Sequence, residues 1–237
     1  MTNSSPTVSI AVPTYNERDN LRPLVERLRG VFRDTPPTLI VVDDNSPDGT
    51  AEVAFELARD YPIDLIVRSG ERGLATAIIA GLARATTDIV VVMDADLSHP
   101  PEAIPTLVNA LASDASIQMA IGSRFVPGGS VDLDWPLHRR VVSRLGRWLA
   151  APLTPRGVRD VVSGFFAVRT AGLQLNELRP IGYKIALELI VRHSWTRIVE
   201  VPIRFSDRKA GQTKLNFAEN MRYLRHLLRL YGLVLTR

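Results

Sequence analysis

The chain has 237 residues, enough for one large α/β domain or two small ones, and its 46% hydrophobic and 23% charged residues are the balance of a globular protein with a substantial core. It contains no cysteine, which excludes a disulfide framework and a thiolate metal site and fits a reducing compartment. The net charge of +4 is unevenly placed: Arg139, Arg140, Arg144, Arg147, Arg156 and Arg159 form an acid-free run, and Arg222, Arg225, Arg229 and Arg237 form another. Such clusters point to a phosphate-bearing or anionic-membrane partner, or to a solvated basic face. The N-terminus lacks a basic region followed by a long apolar run, so no signal peptide is expected. No stretch reaches the roughly 18 to 20 uninterrupted apolar residues of a spanning helix.

The first half alternates strands and helices. "TVSIAVP" is a strand closed by Pro13. Leu21, Leu24, Val25, Leu28 and Val31 or Phe32 share one face of the helix that follows, with Asn16 or a neighbour as its cap. "PTLIVVDD", "IDLIVRS" and "DIVVVMDAD" are further strands, and "DGTAEVAFELARDY" and "LATAIIAGLARAT" are the helices between them. A helix is expected over 101–112, and "IQMAIGSRF" is a fifth strand. This rhythm implies α/β architecture, a mostly parallel central sheet with helices on both faces.

The second half is less regular. "VPGGSVDLDW" is a glycine-rich loop. The helix over 136–151 mixes arginines with Leu137, Val141, Leu145, Trp148 and Leu149. "DVVSGFFAVRT" reads as a strand or a hairpin pair, "GYKIALELIVRHS" as a helix and "RIVEVPIRFSDR" as one extended strand. "GQTKLNFAEN" is a loop into the last helix. The division expected is a catalytic domain over 1–216 and a basic amphipathic helix over 217–237.

Three strands end in polar clusters, "PTYNE", "DDNSPDG" and "DADLSHP", on the edge where parallel sheets bind ligands. Asp94 and Asp96 either cap the next helix or hold a hard cation such as Mg²⁺ or Mn²⁺, which prefers oxygen ligands. Their place at the tip of an apolar strand favours the cation. Asp44 reads as an acceptor for a ribose or base, whereas Pro47 and Gly49 are turn formers and Asp48 is a helix cap. Tyr15 could pack on a nucleobase and Glu17 could bind base or ribose. Arg68 and Arg72 lie beside glycines, in reach of phosphates if their loop folds over the site.

Taken in order, "VPTYNERDNL", "VVDDNSPDGTA", "RGLATAIIAG", "MDADLSHPPE", "GSRFVPGG", "VVSGFFAVR", "GYKIALELIVR" and "EVPIRFSDRKAGQTKLN" resemble the polyprenol-phosphate (dolichol-phosphate) mannosyltransferase family. These are inverting family 2 glycosyltransferases with a GT-A fold, and the resemblance runs from Val8 to Asn216. It implies that Pro13, Tyr15, Glu17, Val42, Asp44, Asp94, Ala95, Asp96, Arg124, Lys184, Arg208 and Lys214 bind the nucleotide-sugar. Asp94, Asp96, Arg124 and Arg208 would carry the chemistry. Asp94, Asp96 and Ser98 would hold the metal, with Ser98 standing where some members carry Gln and acting through water. Arg139 and Ser143 would bind the lipid phosphate. Two departures stand out: Ala75 replaces a glycine of many relatives, and Phe165 and Phe166 replace an arginine found in some.

The function so implied is inverting mannose transfer from GDP-mannose to a polyprenyl phosphate. Two alternatives stay open: sugar transfer from a UDP-sugar, and a non-catalytic nucleotide-sugar-binding subunit. His99 either acts as a base or orders the loop beside Pro100. A lipid acceptor places the chain as a peripheral protein on the cytoplasmic face of a membrane, and leaves room for a membrane-anchoring subunit. Nucleic acid is not an expected partner. The last helix sets Phe217, Met221, Leu224, Leu228, Tyr231 and Leu235 in one stripe, for a membrane surface or for packing on the core or a second subunit.

Overall fold

The apolar runs of the first half fold as strands covered on both faces, where continuous hydrophobicity rather than alternation is required. The computed structural model describes residues 5–131, 137–182, 184–206 and 217–236, with the side chains of 137–143 and 217–220 outside the description. In chain order the elements are β1 (Val8–Thr14), α1 (Arg18–Val31), β2 (Thr38–Asp43), α2 (Thr50–Leu57), β3 (Ile63–Val67), α3 (Leu74–Arg84) and β4 (Ile89–Val92). Then come α4 (Ile104–Ser113), entered through a 3₁₀ turn at Pro101–Ala103, β5 (Met119–Ser123), β6 (Ser130–Val131), α5 (Leu137–Ala150) and β7 (Phe166–Arg169). The remainder are α6 (Ile185–Arg192), β8 (Ile198–Pro202), β9 (Arg204–Phe205) and α7 (Phe217–Leu235).

The main sheet has the order β3-β2-β1-β4-β7-β5-β8. Every neighbouring pair is parallel except the two made by β7, which runs antiparallel between β4 and β5. The sequence leaves "DVVSGFFAVRT" as a strand or a hairpin; it forms this one inserted strand. The expected single strand over 197–208 divides instead at Ile203. Its first part extends the main sheet as β8, and its second part pairs with β6 as a separate two-stranded ribbon.

Side chains of successive strand residues enter opposite cores. Ile10, Val12, Val91 and Phe165 join Leu24, Leu28, Ile104 and Leu107 on one face. Ala11, Val90, Val92 and Phe166 join Ile78, Ile185 and Leu189 on the other. The adjacent phenylalanines are therefore not redundant; each fills a different core. A third cluster ties α7 down, with Leu227 and Leu230 packed on Ala150, Leu153, Leu187 and Val191. Above it the fully buried Glu188 accepts hydrogen bonds from the Arg179 N–H and Arg192 Nε, each at 2.7 Å. Its other oxygen bonds Nε2 of the equally buried His226 at 3.0 Å, which fastens α7 to α6. That arrangement holds the Glu188 carboxyl below its ordinary value: burial opposes ionisation, but the bonds from His226, Arg179 and Arg192 outweigh it.

Gly122 in β5 sits against the Phe165 ring, and a Cβ there would lie 2.5 Å from Phe165 Cδ1 and 3.3 Å from Ile203 Cγ2. Neither neighbour has room to retreat in a filled core. Gly122→Ala is expected to cost about 1–3 kcal/mol, read as a lower urea midpoint at unchanged slope. An unchanged midpoint would show that the strand yields.

Candidate active site

β1, β2 and β4 end side by side, and each is followed by a non-glycine residue in the left-handed region: Asn16 (φ 59°), Asn45 (φ 55°) and Leu97 (φ 62°). Asparagine tolerates that conformation, whereas a leucine there is held only by its buried surroundings. Asp43 stitches two of the turns together. Its carboxylate accepts the Thr14 hydroxyl at 2.9 Å, the Ser46 hydroxyl at 2.5 Å and the Ser46 N–H at 2.8 Å. Asp48 caps two helices at once, accepting the Thr50 N–H at 3.0 Å and the Arg18 N–H at 3.2 Å. Asn16 does not cap α1; the Thr50 hydroxyl accepts the Glu17 N–H at 3.0 Å instead.

Asp44 is buried and internally paired. It accepts Arg68 Nε at 2.7 Å and the Gly73 N–H at 2.8 Å. Arg68 also donates to the Thr76 hydroxyl and the Gly73 carbonyl, so it braces the loop before α3. Arg72 lies over the Tyr15 ring, 5.2 Å from its centroid, and completes the rim beside β1. Pro13 and Val42 are buried beneath this rim, and Tyr15 and Glu17 are half-buried on it.

At the tip of β4, Asp94 is half-exposed while Ala95, Asp96, Ser98 and His99 are buried. Asp96 accepts both the Ser98 N–H at 3.0 Å and the Ser98 hydroxyl at 2.6 Å. Ser98 thus orients the carboxylate. His99 Nδ1 accepts the Asp94 N–H at 3.1 Å, and its ring stacks on Phe165 with centroids 5.2 Å apart. Burial lowers the His99 affinity for a proton, against the pull of Asp94 and Asp96, so the imidazole is neutral. It orders the acidic loop: the nitrogen nearest the carboxylates already accepts a backbone proton. Gly164 leaves space beside this pair, since a Cβ there would sit 3.4 Å from His99 Cε1 and 3.8 Å from Asp94 Oδ2.

Across the site, Arg124 follows the last residue of β5. Asp160 grips it at three points: Nε and one terminal nitrogen at 2.8 Å each, and its backbone N–H at 3.0 Å. Asp160 is fully buried, and Glu200 of β8 holds its loop by accepting the Arg159 N–H at 2.7 Å and the Asp160 N–H at 2.8 Å. Lys184, at the start of α6, donates to the Val162 carbonyl at 3.1 Å. Burial, reinforced by the Arg124 charge and opposed by Asp160 and Asp94, pushes its ammonium down to about 7.

The structure thus gathers Asp94, Asp96, Arg124 and Lys184 at one edge of the sheet, near the Tyr15, Glu17 and Asp44 rim. Arg208 and Lys214 lie outside the described residues, as do the side chains of Arg139 and Ser143, whose backbones belong to α5. Sequence reasoning missed Asp160, Glu200 and Gly164. The available signal for Asp160 is its position as the acid that ends the arginine run. Among the described residues no three acids, histidines or cysteines form a metal cage. Two carboxylates fit a hard divalent cation whose remaining ligands are water and substrate phosphate oxygens.

Comparison with known proteins places this geometry. The family model for glycosyl transferase family 2 matches residues 9–174. The dolichol-phosphate mannosyltransferase of Pyrococcus furiosus is 44% identical, covering 94% of this chain and 63% of its own, so this chain spans less than two thirds of that relative. The dolichol-phosphate mannosyltransferase of Saccharomyces cerevisiae is 40% identical over 94% of this chain and 86% of its own. The polyprenol monophosphomannose synthase of Mycolicibacterium smegmatis is 37% identical over 87% and 80%. The crystal structure of glucosyl-3-phosphoglycerate synthase from Mycobacterium tuberculosis, holding Mn²⁺, UDP and glucosyl-3-phosphoglycerate, superposes with a TM-score of 0.73 at 22% identity, over 96% of this chain and 80% of that one. That likeness extends to the fold, a GT-A-like mostly parallel sheet flanked by helices. The chain belongs to glycosyl transferase family 2, in the branch of the dolichol-phosphate and polyprenol-phosphate mannosyltransferases.

Proposed function

We propose that the chain transfers mannose from GDP-mannose to a polyprenyl phosphate with inversion, giving polyprenyl-phosphate mannose and GDP. The observation that supports this most is 40–44% identity to three dolichol-phosphate mannosyltransferases over nearly the whole chain. An acceptor phosphate oxygen attacks the anomeric carbon from the face opposite the diphosphate. The new C–O bond forms as the old one breaks, and GDP leaves with the bonding pair. A phosphate monoester loses its second proton near pH 6, so at neutral pH the nucleophile needs no strong base. This suits a neutral His99 already engaged with the Asp94 N–H.

The protein's work is then charge placement. Asp94 and Asp96 would hold Mg²⁺ or Mn²⁺, which when bound neutralises the leaving diphosphate. Arg124 and Lys184, with Arg208 and Lys214, supply the opposing cations. Tyr15, Glu17 and Asp44 line the nucleoside, with Asp44 also bracing the Arg68 loop. Arg139 and Ser143 receive the acceptor phosphate. On this reading residues 1–216 are the catalytic part and 217–237 a surface-lying helix.

No helix among the described residues is long and apolar enough to cross a membrane. The surface instead carries Trp148 and Leu145 of α5, 71% and 52% exposed, and Leu228 and Leu235 of α7, 65% and 84% exposed. Exposed arginines Arg144, Arg222 and Arg225 interleave with them. Apolar groups flanked by cations suit the interface of an anionic bilayer, so the chain sits peripherally on the face that presents the nucleotide-sugar.

Three experiments bear on this. Radiolabelled GDP-mannose or UDP-glucose is mixed with protein, Mg²⁺ or Mn²⁺ and a polyprenyl phosphate. Organic-extractable label should arise from GDP-mannose only, and Asp96→Ala should lower it more than about a hundredfold. Label from UDP-glucose would install the other donor, and no label would favour a binding subunit. Lys184 makes a second, pH-dependent mark. Its protonated form meets the diphosphate, so donor binding takes up a proton once the pH exceeds about 7. GDP-mannose affinity should therefore fall as the pH rises above about 7, and Lys184→Met should flatten the profile; a flat wild-type titration refutes the role. Third, the chain should float with anionic vesicles and not with neutral ones. Equal behaviour on both would remove the interfacial role of α5 and α7, and flotation without another protein would dispense with an anchoring subunit.

A further inference from the structure

Arg147 has an unusual environment for an arginine outside the assigned site. It is half-buried near the end of α5, with its guanidinium 3.7 Å from the centroid of the Phe125 ring. Arg124 lies over the same ring at 5.2 Å, so the two cations are neighbours. The Arg147 Nε is shut off from solvent and has no hydrogen-bond partner among the described residues. The acids whose charge acts on it are Asp160 and Glu200. Both are engaged elsewhere: Asp160 grips Arg124, and Glu200 holds the Arg159 and Asp160 backbone. Burial and the charges of Arg124 and Arg144 disfavour its protonated form, yet a guanidinium does not give up its proton in a protein.

A half-buried cation without an anionic partner is costly, and the cost is relieved when an anion arrives. The anion that matches a guanidinium fork is a phosphate or carboxylate taken at two points. The rest of α5 selects between them. Leu145 and Trp148, neighbours one turn apart on the helix beside Arg147, are strongly exposed apolar groups that can lie along a hydrocarbon chain. Positions 139, 143 and 147 follow at four-residue steps, so two arginines and a hydroxyl residue fall on one strip of the helix.

We propose that Arg147 binds the phosphate of the lipid acceptor, with Leu145 and Trp148 taking the first isoprene units. The proposal rests on the polyprenyl phosphate reading above. It adds a binding residue that lies outside the motifs. Phe125 acts as the platform that keeps the guanidinium beside Arg124, so that acceptor and donor phosphates meet adjacent cations.

The test uses the full chain without donor or metal, titrated calorimetrically with geranyl phosphate, geraniol and inorganic phosphate. Wild type should bind geranyl phosphate more tightly than either control. Arg147→Gln removes the charge together with the guanidinium stacked on Phe125 and should weaken geranyl phosphate at least about tenfold, the loss of one charge-assisted contact. Arg147→Lys should recover part of that affinity, and the melting temperature of both variants should fall by no more than the loss of one stacking contact on Phe125. In the transfer assay the acceptor KM should rise while the donor KM stays. Unchanged geranyl phosphate binding in Arg147→Gln overturns the proposal, as does a lower melting temperature with intact binding. Equal affinity for inorganic phosphate removes the lipid assignment. Intact geranyl phosphate binding without mannosyl transfer would instead sink the donor reading and leave this one standing.

Discussion

The grip of Asp160 on Arg124 is the contact from which the charged side of the site takes its form. It fixes the side chain by two bonds and the backbone by a third, so Arg124 has one position. The carboxylate is fully buried, and the desolvation cost of such a pair is offset only by good geometry. Its value is therefore place rather than stability. Glu200 passes the constraint to β8, so that two strands and the loop before β7 agree on where the cation stands. Lys184, His99 and Arg147 all feel the charges of this pair. Shifting it would change the electrostatics around Lys184, His99 and Arg147 together.

The inserted strand makes that contact attainable. After β5 the chain leaves the sheet through β6 and α5 and comes back antiparallel between β4 and β5. The residues just before β7 are thereby delivered to the edge where β4 ends. Asp160 arrives beside Arg124, Gly164 beside Asp94, and Phe165 beneath His99. Phe165 also fills the space over Gly122, so core packing and the acidic loop share one ring. A parallel strand in that place would present its far end to the site. The antiparallel sense is thus a functional requirement, met by giving up the regular crossover of the first half.

This division explains what the sequence disclosed. The strand-end clusters of the first half are local: an apolar run, a turn former and an acid suffice to place Asp44, Asp94 and Asp96 on the ligand edge. Partners far apart in sequence were not legible. Nothing local shows that Arg68 is held by Asp44, 24 residues away. Asp160 and Glu200 were invisible for the same reason, being paired across 36 and 40 residues. The break at Ile203 was also hidden, since an extended strand and two short ones read alike until their neighbours are known.

The terminal helix separates two interleaved stripes that the sequence presented as one. Of the stripe read from periodicity, Met221, Leu224, Leu228 and Leu235 are exposed, Tyr231 turns inward and donates to the Leu149 carbonyl, and the Phe217 side chain lies outside the description. The inward face carries Leu227, Leu230 and His226, with Tyr223 donating to the Gly146 carbonyl at 2.9 Å. Polar residues on the inner face are tolerable because Glu188 and the end of α5 supply their partners. The core therefore accounts for only one face of α7, and the Glu188–His226 bond fixes which face that is. The apolar groups left outside have no packing explanation within the described residues. They lie on a helix packed against the end of α5, which carries Leu145 and Trp148, so the same cluster that anchors α7 also brings two exposed apolar edges together.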